Sequence, residues 1–541
     1  MRWQRPSGAL LRGEIIAGLT VAMVIIPQSV AYAALAGMPL VTGVYAAFIP
    51  ALVAVLWSAS PRLSVGPTAL TSLLVAASLH GLAEPGSSGW VMLAVWLALL
   101  SGGMQLALGA GKFGWILNLV SSPVLTGFTQ AATVLIIISQ LPALLGLQGP
   151  PNDWLGVPKF DLAAASFGLV TLTLLVAARR MAPQFPMVMV TMVGAGVLSY
   201  ATHYASAGGA VIGAIPSGLP MPLWPGIPAL ATLAALLVPA MVISLVSFLE
   251  TASSAKVESQ TLHQPWNENQ DLMAQGLAKI ASGLTGSFPI SSSFSRSALN
   301  LYAGARTGWA TVVTVVAVGL LLLWLTPALY HVPSAVLAAV VIAAVGGLFK
   351  PSVFLRLWAL LRVEALILAT TFFVTLITAP RIYWGVLAGV LLGLTHFLYQ
   401  RLHPRIIEVG LHADGSLRDR HLWQLAPLAP RMLALRMDAE LDFATASSLE
   451  RAVADYLAQH GDTTHVALFA QPINRVDATG VEVFSALRRN LVQQGITLHL
   501  SGIKLPVETL LRGAGELPEG ALLRLYRTDA EALTYFASLQ G

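Results

Sequence analysis

The sequence predicts an all-α polytopic membrane domain of fourteen spans, built as two inverted repeats of seven, followed by a small α/β domain. Three observations predict it. Only 10% of the 541 residues are charged and 56% are hydrophobic, against about 25% charged in a soluble domain. The apolar stretches stop near residue 400, where the composition becomes that of a soluble protein. Two of the stretches, in matching places of the two halves, are short and open on Gly, Pro and small hydroxyl residues. They are Ser64-Val65-Gly66-Pro67-Thr68-Ala69-Leu70 and Gly286-Ser287-Phe288-Pro289-Ile290-Ser291-Ser292-Ser293-Phe294-Ser295-Arg296-Ser297.

Taken in order, apolar windows fall near 14–34, 41–57, 66–79, 91–109, 122–146, 163–179 and 187–205. A second set falls near 229–252, 270–285, 295–305, 309–326, 334–348, 363–379 and 382–400. The first run lacks a cleavage site and more spans follow it, so it reads as a retained helix and not as a signal peptide. A full span needs about 20 apolar residues. Windows 66–79 and 295–305 cannot supply them, so each is expected to be a half-helix buried in protein. An odd number of spans per half makes the repeats face opposite ways. A helix that begins at membrane depth aims free N–H groups and a positive dipole end into a cavity. Two such breaks in corresponding positions point to an anion site in a secondary transporter.

Lys and Arg placement sets the topology. With the N-terminus inside, the inner loops hold Arg62, Lys112, Arg179, Arg180, Lys256, Arg306, Lys350, Arg356 and Arg362, and the outer loops only Lys159 and Arg381. This bias puts both termini in the cytoplasm of a bacterial inner membrane. The same loops account for the net charge of +5, so no nucleic-acid partner is expected. Residues 206–228, without a basic residue and rich in Gly and Pro, read as an irregular outer loop. With no cysteine, disulfides, thiolate metal sites and cysteine nucleophiles are excluded. The transport domain is placed at 1–403 and the soluble domain at 404–541. In the latter, strand-like runs at 432–435, 465–469 and 497–500 alternate with amphipathic stretches at 444–459, 478–494 and 507–513, a βαβαβα order.

Several polar residues interrupt the apolar windows. Gln28 can donate and accept from the first span, and Tyr32 lies one turn on along the same face. The bland alternative for Gln28 is a bond to a neighbouring helix. Thr68 and Ala69 open the first half-helix; Ser293, Ser295 and Arg296 open the second. Arginine at membrane depth is costly and marks a functional site, unless it is a structural counter-ion to Glu250. Glu250 lies in a polar stripe with Ser244, Ser247, Thr251 and Ser254. There it must be protonated or meet a cation, Arg296 or bound Na⁺; the alternative is a place in the inner headgroup zone near Lys256. The scattered His203, His263, His331 and His396 lack metal spacing, and no Walker A or zinc-protease pattern occurs. No catalytic constellation, metal or cofactor is expected, and the chain does not read as an enzyme.

The run Pro27-Gln28-Ser29-Val30-Ala31-Tyr32-Ala33, followed by Ala36-Gly37 and Gly43-Val44-Tyr45, resembles the sulfate permease (SulP) anion transporter family. The similarity continues through Ser64-Val65-Gly66-Pro67, Asn269-Gln270, Gly276-Leu277-Ala278 and Ser295-Arg296-Ser297-Ala298-Leu299-Asn300. It ends at Val476-Asp477-Ala478-Thr479-Gly480, which is similar to the signature of a STAS domain. The resemblance implies a core domain of helices 1–4 and 8–11 moving against a gate domain of helices 5–7 and 12–14. It implies an anion held by Gln28, Tyr32, Thr68 and Ala69, with Ser293, Ser295 and Arg296 as the second wall, and it links Glu250 to cation coupling. In the STAS loop of Asp477, Thr479 and Gly480, Ala478 stands where anti-sigma antagonists carry a phosphorylated serine, so that loop reads as a fold or partner contact. Two departures stand out. Lys279 replaces a residue that is often polar and uncharged, and Ser291-Ser292-Ser293 replaces glycines, adding hydroxyls that suit an oxyanion. The expected function is secondary active, proton-coupled, elevator-type transport of a small inorganic oxyanion, sulfate favoured, by a homodimer in the lipid bilayer with an unidentified cytoplasmic STAS partner. Bicarbonate or a C4-dicarboxylate, with H⁺ or Na⁺, is the alternative. An uncoupled anion channel or a STAS-mediated membrane scaffold is the alternative of another class.

Overall fold

The computed structural model describes residues 8–148, 159–181, 185–263, 265–518, 520 and 522–539. The chain divides into two compact units, Met1–Gly393 and Leu394–Gly541. Every apolar window carries a helix. The first seven windows hold α1 (Gly8–Leu35), α2 (Leu40–Ala46) with α3 (Ile49–Trp57), α4 (Ala69–Leu79), α5 (Ser88–Ala110), α6 (Ser122–Leu145), α7 (Leu162–Met181) and α8 (Met187–Ala201). The second seven hold α9 (Leu230–Leu262), α10 (Glu268–Leu284), α11 (Phe294–Tyr302), α12 (Trp309–Leu320), α13 (Ser334–Gly346) and, after an additional helix α14 (Ser352–Leu360), α15 (Arg362–Ile377) and α16 (Tyr383–Leu402). Among the described residues, six helical stretches are long and apolar enough to cross a membrane by length and composition.

Two details depart from a simple window count, each for a local reason. Window 41–57 is two helices, because Pro50 in the first turn of α3 has no N–H to continue the ladder from α2. Helix α14 buries none of its residues and turns Leu355, Trp358 and Leu360 outward. Its mixed apolar and basic pattern is that of an interfacial helix, which a search for long apolar runs passes over.

The two short windows are half-helices in length. Helix α4, of 11 residues, is about 16 Å long, and α11, of nine, is about 14 Å, against a hydrocarbon core of about 30 Å. Thr68 caps the first, its side chain accepting from Thr71 N. Ser293 caps the second, accepting from Arg296 N. A hydroxyl at each N-cap satisfies one of the free N–H groups and leaves the others available.

Helices α5 and α10 meet backbone to backbone. A Cβ added at Gly102 would lie 2.8 Å from Gly276 O, and one at Gly276 would lie 2.6 Å from Leu106 N. Small residues permit this approach without a hydrophobic driving force between helices, and it brings the polar side chains beside them together.

The second unit holds a six-stranded sheet in the order β10-β9-β8-β7-β5-β6. Two-residue strands β1 (Val65–Gly66), β2 (Leu147–Gln148), β3 (Lys159–Phe160) and β4 (Ser291–Ser292) belong to the first unit; the sheet comprises β5 (Ile406–Leu411), β6 (Leu417–Asp419), β7 (Met432–Met437), β8 (His465–Phe469), β9 (Thr497–Ser501) and β10 (Leu523–Tyr526). Strands β7 to β10 are parallel, and β5 runs antiparallel to both β7 and β6. Helices α17 (Ala446–Gln459), α18 (Ala478–Gln493) and α19 (Leu505–Gly513) pack with Leu433, Leu435 and Leu468, while α20 (Asp529–Ser538) packs with Met432, Ala434 and Phe469. Adjacent strand residues point to opposite faces, so the sheet is covered on both sides. Strands β5, β6 and β10 and helix α20 lie beyond the three strands and three helices expected there.

Candidate functional site

The breaks before the two half-helices bond to each other. Strand β1 pairs antiparallel with β4, Val65 opposite Ser292 and Gly66 opposite Ser291. Ser293 N donates to Ser64 O at 3.0 Å, and Ser64 N donates to Ser297 Oγ at 3.0 Å. The extended segments before α4 and α11 therefore satisfy their backbone groups mutually, as irregular backbone within a membrane must. The pairing holds the two helix N-termini beside each other.

Arg296, buried within the first turn of α11, reaches across this junction. Its Nε donates to Ser64 Oγ at 3.3 Å, Nη1 to Gln28 Oε1 at 3.1 Å and Nη2 to Pro67 O at 3.0 Å. A Cβ at Gly66 would crowd Ile25 Cδ1 at 3.2 Å and meet Arg296 Nη2 at an ordinary contact distance of 3.6 Å, so the guanidinium lies within van der Waals reach of the first break. These three partners are neutral acceptors, and no ion pair joins Arg296 to Glu250. The guanidinium charge is thus spread over the entrance to α4. Gln28 does bond a neighbouring helix, and the group it bonds is this one. Tyr32, one turn along α1, is buried in the same apolar cluster as Ala69.

Glu250 approaches the same place from α9. Its Oε2 accepts from Thr68 Oγ1 at 3.1 Å, while Thr68 Oγ1 also lies 2.8 Å from Thr71 Oγ1. One hydroxyl proton cannot serve both, so Thr71 donates to Thr68 and Thr68 donates to Glu250. The carboxylate therefore sits at the positive end of α4.

Gln28, Ser295 and Arg296 open onto a cavity of about 240 Å³. Its opposite wall is Leu175, Ala178 and Arg179 of α7, with Val340, Ala343 and Ala344 of α13. Tyr32, Thr68, Ala69 and Ser293 are not among the lining residues. Tyr32, Thr68 and Ala69 are buried behind the wall that Gln28 and Arg296 present, while half-exposed Ser293 lies beside Ser295, their Oγ atoms 3.3 Å apart. Of the three extra hydroxyls expected to suit an oxyanion, those of Ser291 and Ser292 are turned inward. Ser291 Oγ donates to Ser247 O at 2.8 Å, and Ser292 Oγ accepts from Gln275 Nε2 at 3.2 Å.

In the sequence, two cations near the site read only as loop charge, Arg179, or as a departure from the family pattern, Lys279. Arg179 reaches the cavity from α7. Lys279, fully buried on α10, donates to Gln105 Oε1 at 2.7 Å and Ser247 Oγ at 2.8 Å. The available signal for Lys279 was its spacing with Gln275 and Ser282, which puts three polar groups on one face of α10.

In the second unit, Asp477 caps α18, accepting from Gly480 N at 2.8 Å and Phe443 N at 3.0 Å. These N–H groups, Gly480 first, hold its carboxyl below the usual range. A Cβ at Gly480 would lie 2.0 Å from Leu441 O, so the glycine is required by close approach of the 441 segment. Thr479 is exposed beside it. The arrangement supports the loop as a folding element and surface.

The sequence model of the sulfate permease family matches residues 11–371. The chain belongs to the sulfate permease family. The STAS domain model matches 425–532, so this family member carries a C-terminal STAS domain. A Mycobacterium tuberculosis protein named "Probable sulfate transporter" is 32% identical over 544 residues, covering 97% of this chain and 95% of that protein. A Bos taurus protein named "Sodium-independent sulfate anion transporter" is 30% identical over 571 residues, covering 98% and 88%. Among solved structures, the murine solute carrier 26 family member A9 anion transporter, in its inward-facing state, superposes with a TM-score of 0.87 at 20% identity, covering 99% of this chain and 93% of that one. The transmembrane domain of a cyanobacterium bicarbonate transporter, BicA, gives 0.61 at 20% identity over 72% of this chain and 98% of its own. The sulfate permease family fold, a mostly helical membrane domain followed by a STAS domain, is therefore established for this multi-pass anion transporter, whose relatives are named as transporters and not as enzymes.

Proposed function

We propose that this chain is a secondary active, proton-coupled transporter of sulfate in a bacterial inner membrane. It works as a homodimer of fourteen-span subunits with cytoplasmic termini, residues 1–403 carrying transport and 404–541 the STAS domain. The observation that carries this is the paired half-helix N-termini, laced by Arg296, behind a cavity of anion size. The two helix ends add partial positive charge from behind the wall. The Arg296 guanidinium that lines it already donates to three neutral acceptors, which keeps binding weak enough for release. Gln28 and Ser295 add polar groups at the wall, with Ser293 beside Ser295, and Tyr32, Thr68 and Ala69 shape the pocket behind it.

Glu250 supplies coupling by competition. Ionised, its carboxylate occupies the positive end of α4 through Thr68 and repels an arriving dianion. Protonated, it gives up that claim. Binding of sulfate and of a proton thus favour each other. The cavity has α1 and α11 on one side and α7, α8 and α13 on the other, which supports an elevator in which the first group carries the anion past the second. Residues Asp477, Thr479 and Gly480 form the surface an unidentified cytoplasmic partner would meet.

Uptake of labelled sulfate into liposomes holding the purified protein tests the reading. Accumulation under an imposed proton gradient, competed by sulfate more strongly than by bicarbonate or C4-dicarboxylates, is expected. Stronger competition by bicarbonate would reassign the substrate. Flux without accumulation would indicate a channel, and no flux a scaffold.

A further inference from the structure

Lys279 is a fully buried lysine with two hydrogen bonds, both to neutral oxygens. Its surroundings are arranged around the ammonium. Gln105 Nε2 donates to Ser244 O at 2.7 Å and Ser247 Oγ at 3.1 Å, which turns Gln105 Oε1 toward Lys279. Ser247 Oγ donates to Ser244 O at 3.3 Å and accepts from both Gln105 and Lys279. Both partners of Nζ are thus held as acceptors, the Gln105 amide by its donor side and Ser247 Oγ by the commitment of its proton to Ser244 O. Ser247 lies one helical turn before Glu250 on α9, a separation of about 5–6 Å on one face. Glu250 and Lys279 interact electrostatically.

Arg296 also interacts electrostatically with Glu250, but its hydrogen bonds go to Ser64, Gln28 and Pro67. The acid thus stands in the field of two cations, and Lys279 is the one not committed to the first break. We propose that the Lys279 ammonium is a tethered cation occupying the place a mobile Na⁺ would take beside Glu250, and that it thereby restricts coupling to protons. The proposal deepens the transport reading above and rests on it. The ligands it engages, an amide oxygen and a hydroxyl next to a carboxylate, are the hard oxygen donors an alkali cation takes. The charges balance accordingly. Arg296 and Lys279 contribute two positive charges and ionised Glu250 one negative charge. Protonation of Glu250 leaves two positive charges, which a dianion neutralises, so the loaded carrier crosses the apolar region without net charge. Without Lys279, a second mobile cation is needed to reach the same balance.

The test compares wild type, Lys279→Ala and Lys279→Met in NaCl and in choline chloride. Thermal melting of purified protein and sulfate uptake in liposomes are measured for each. Wild type is expected to give the same uptake and melting temperature in both salts. Lys279→Ala opens a space at the Gln105 and Ser247 oxygens, within the field of Glu250. Its uptake should fall at least about tenfold in choline and recover in Na⁺, with a melting temperature raised by Na⁺. Lys279→Met removes the charge and keeps the space filled, so it should lose uptake in both salts. A merely structural lysine would make Ala worse than Met, with no difference between salts, and that pattern overturns the proposal. So does Na⁺-stimulated uptake by wild type. If neither variant folds in choline, preparation in NaCl must recover Lys279→Ala and not Lys279→Met; failure of both there also counts against it. Sulfate should raise the melting temperature of wild type in either salt. Loss of that rise would sink the transport reading, separately from the role of Lys279.

Discussion

Removing the Arg296 charge is the most exacting test of the pocket. Arg296→Ala deletes a guanidinium that lines the cavity and donates to Ser64, Gln28 and Pro67. A sphere with the cavity's volume of about 240 Å³ is about 8 Å across, which puts an anion at its centre about 6 Å from the guanidinium. At an effective dielectric constant of about 40, between a surface pair and bulk water, the interaction is about 1.4 kcal/mol per unit of anion charge. A monoanion should therefore lose about tenfold in apparent affinity and sulfate about a hundredfold. The assay is competition by sulfate and by a monovalent oxyanion against labelled sulfate uptake in liposomes, for wild type, Arg296→Ala and Arg296→Lys. The lysine variant keeps the charge and loses the three-way lacing, so it should retain most of the difference between dianion and monoanion. Equal losses for both anions in Arg296→Ala, with Arg296→Lys no better, would refute the field argument. Arg296 would then be a structural tie between the two breaks.

Other consequences follow from the same geometry. Glu250→Gln keeps a partner for Thr68 but cannot exchange a proton, so it should abolish accumulation driven by a pH gradient while sulfate binding, read by melting temperature, survives; a variant that concentrates sulfate as wild type does would rule out coupling through Glu250. Deleting residues 404–541 should leave a folded membrane domain with altered rate or expression and the same anion preference, measured by competition; a switch in preference would contradict the independence of the pocket. His499 bonds His465 and Tyr526, and burial, with the neighbouring His465 and Arg524 charges, pushes its pKa down to about 4. The unfolded chain binds this proton near pH 6.5 and the native STAS domain does not. Stability is therefore complete above about pH 6.5 and is lost as pH falls toward 4, by at most about 3 kcal/mol. Amide exchange of β8 and β9 across that range, corrected for intrinsic rates, should show the loss, and His499→Phe should flatten it.

What the sequence determined by itself was everything carried by local composition and period. The helices on the apolar windows, the half-length α4 and α11, and strands β7, β8 and β9 all follow from runs of like residues bounded by Gly, Pro or a hydroxyl cap. Thr68 and Ser293 were legible as openings of the half-helices, and the structure makes each an N-cap, a role that acts within three residues of itself. Strands β5 and β10 were not. In β5 the core alternates with Glu408 and Gly410, and β10 is four residues with Arg524 inside it, so neither has a period long enough to read. The site divides in the same way. Gln28, Arg296 and Glu250 announce themselves because a polar group in an apolar span is costly wherever it points. Only the tertiary structure decided where each one points. The pairing of β1 with β4, the turn of Arg296 toward Pro67 and away from Glu250, and the Gln105–Lys279–Ser247 cluster join residues 139 to 268 positions apart or bring three helices together. Contacts of that range are set by helix packing. Backbone contact at Gly102 and Gly276 makes α5 and α10 neighbours, and so a lysine that reads as an anomaly in its own helix becomes a buried cation bonded to Ser247, the serine one turn from the acid.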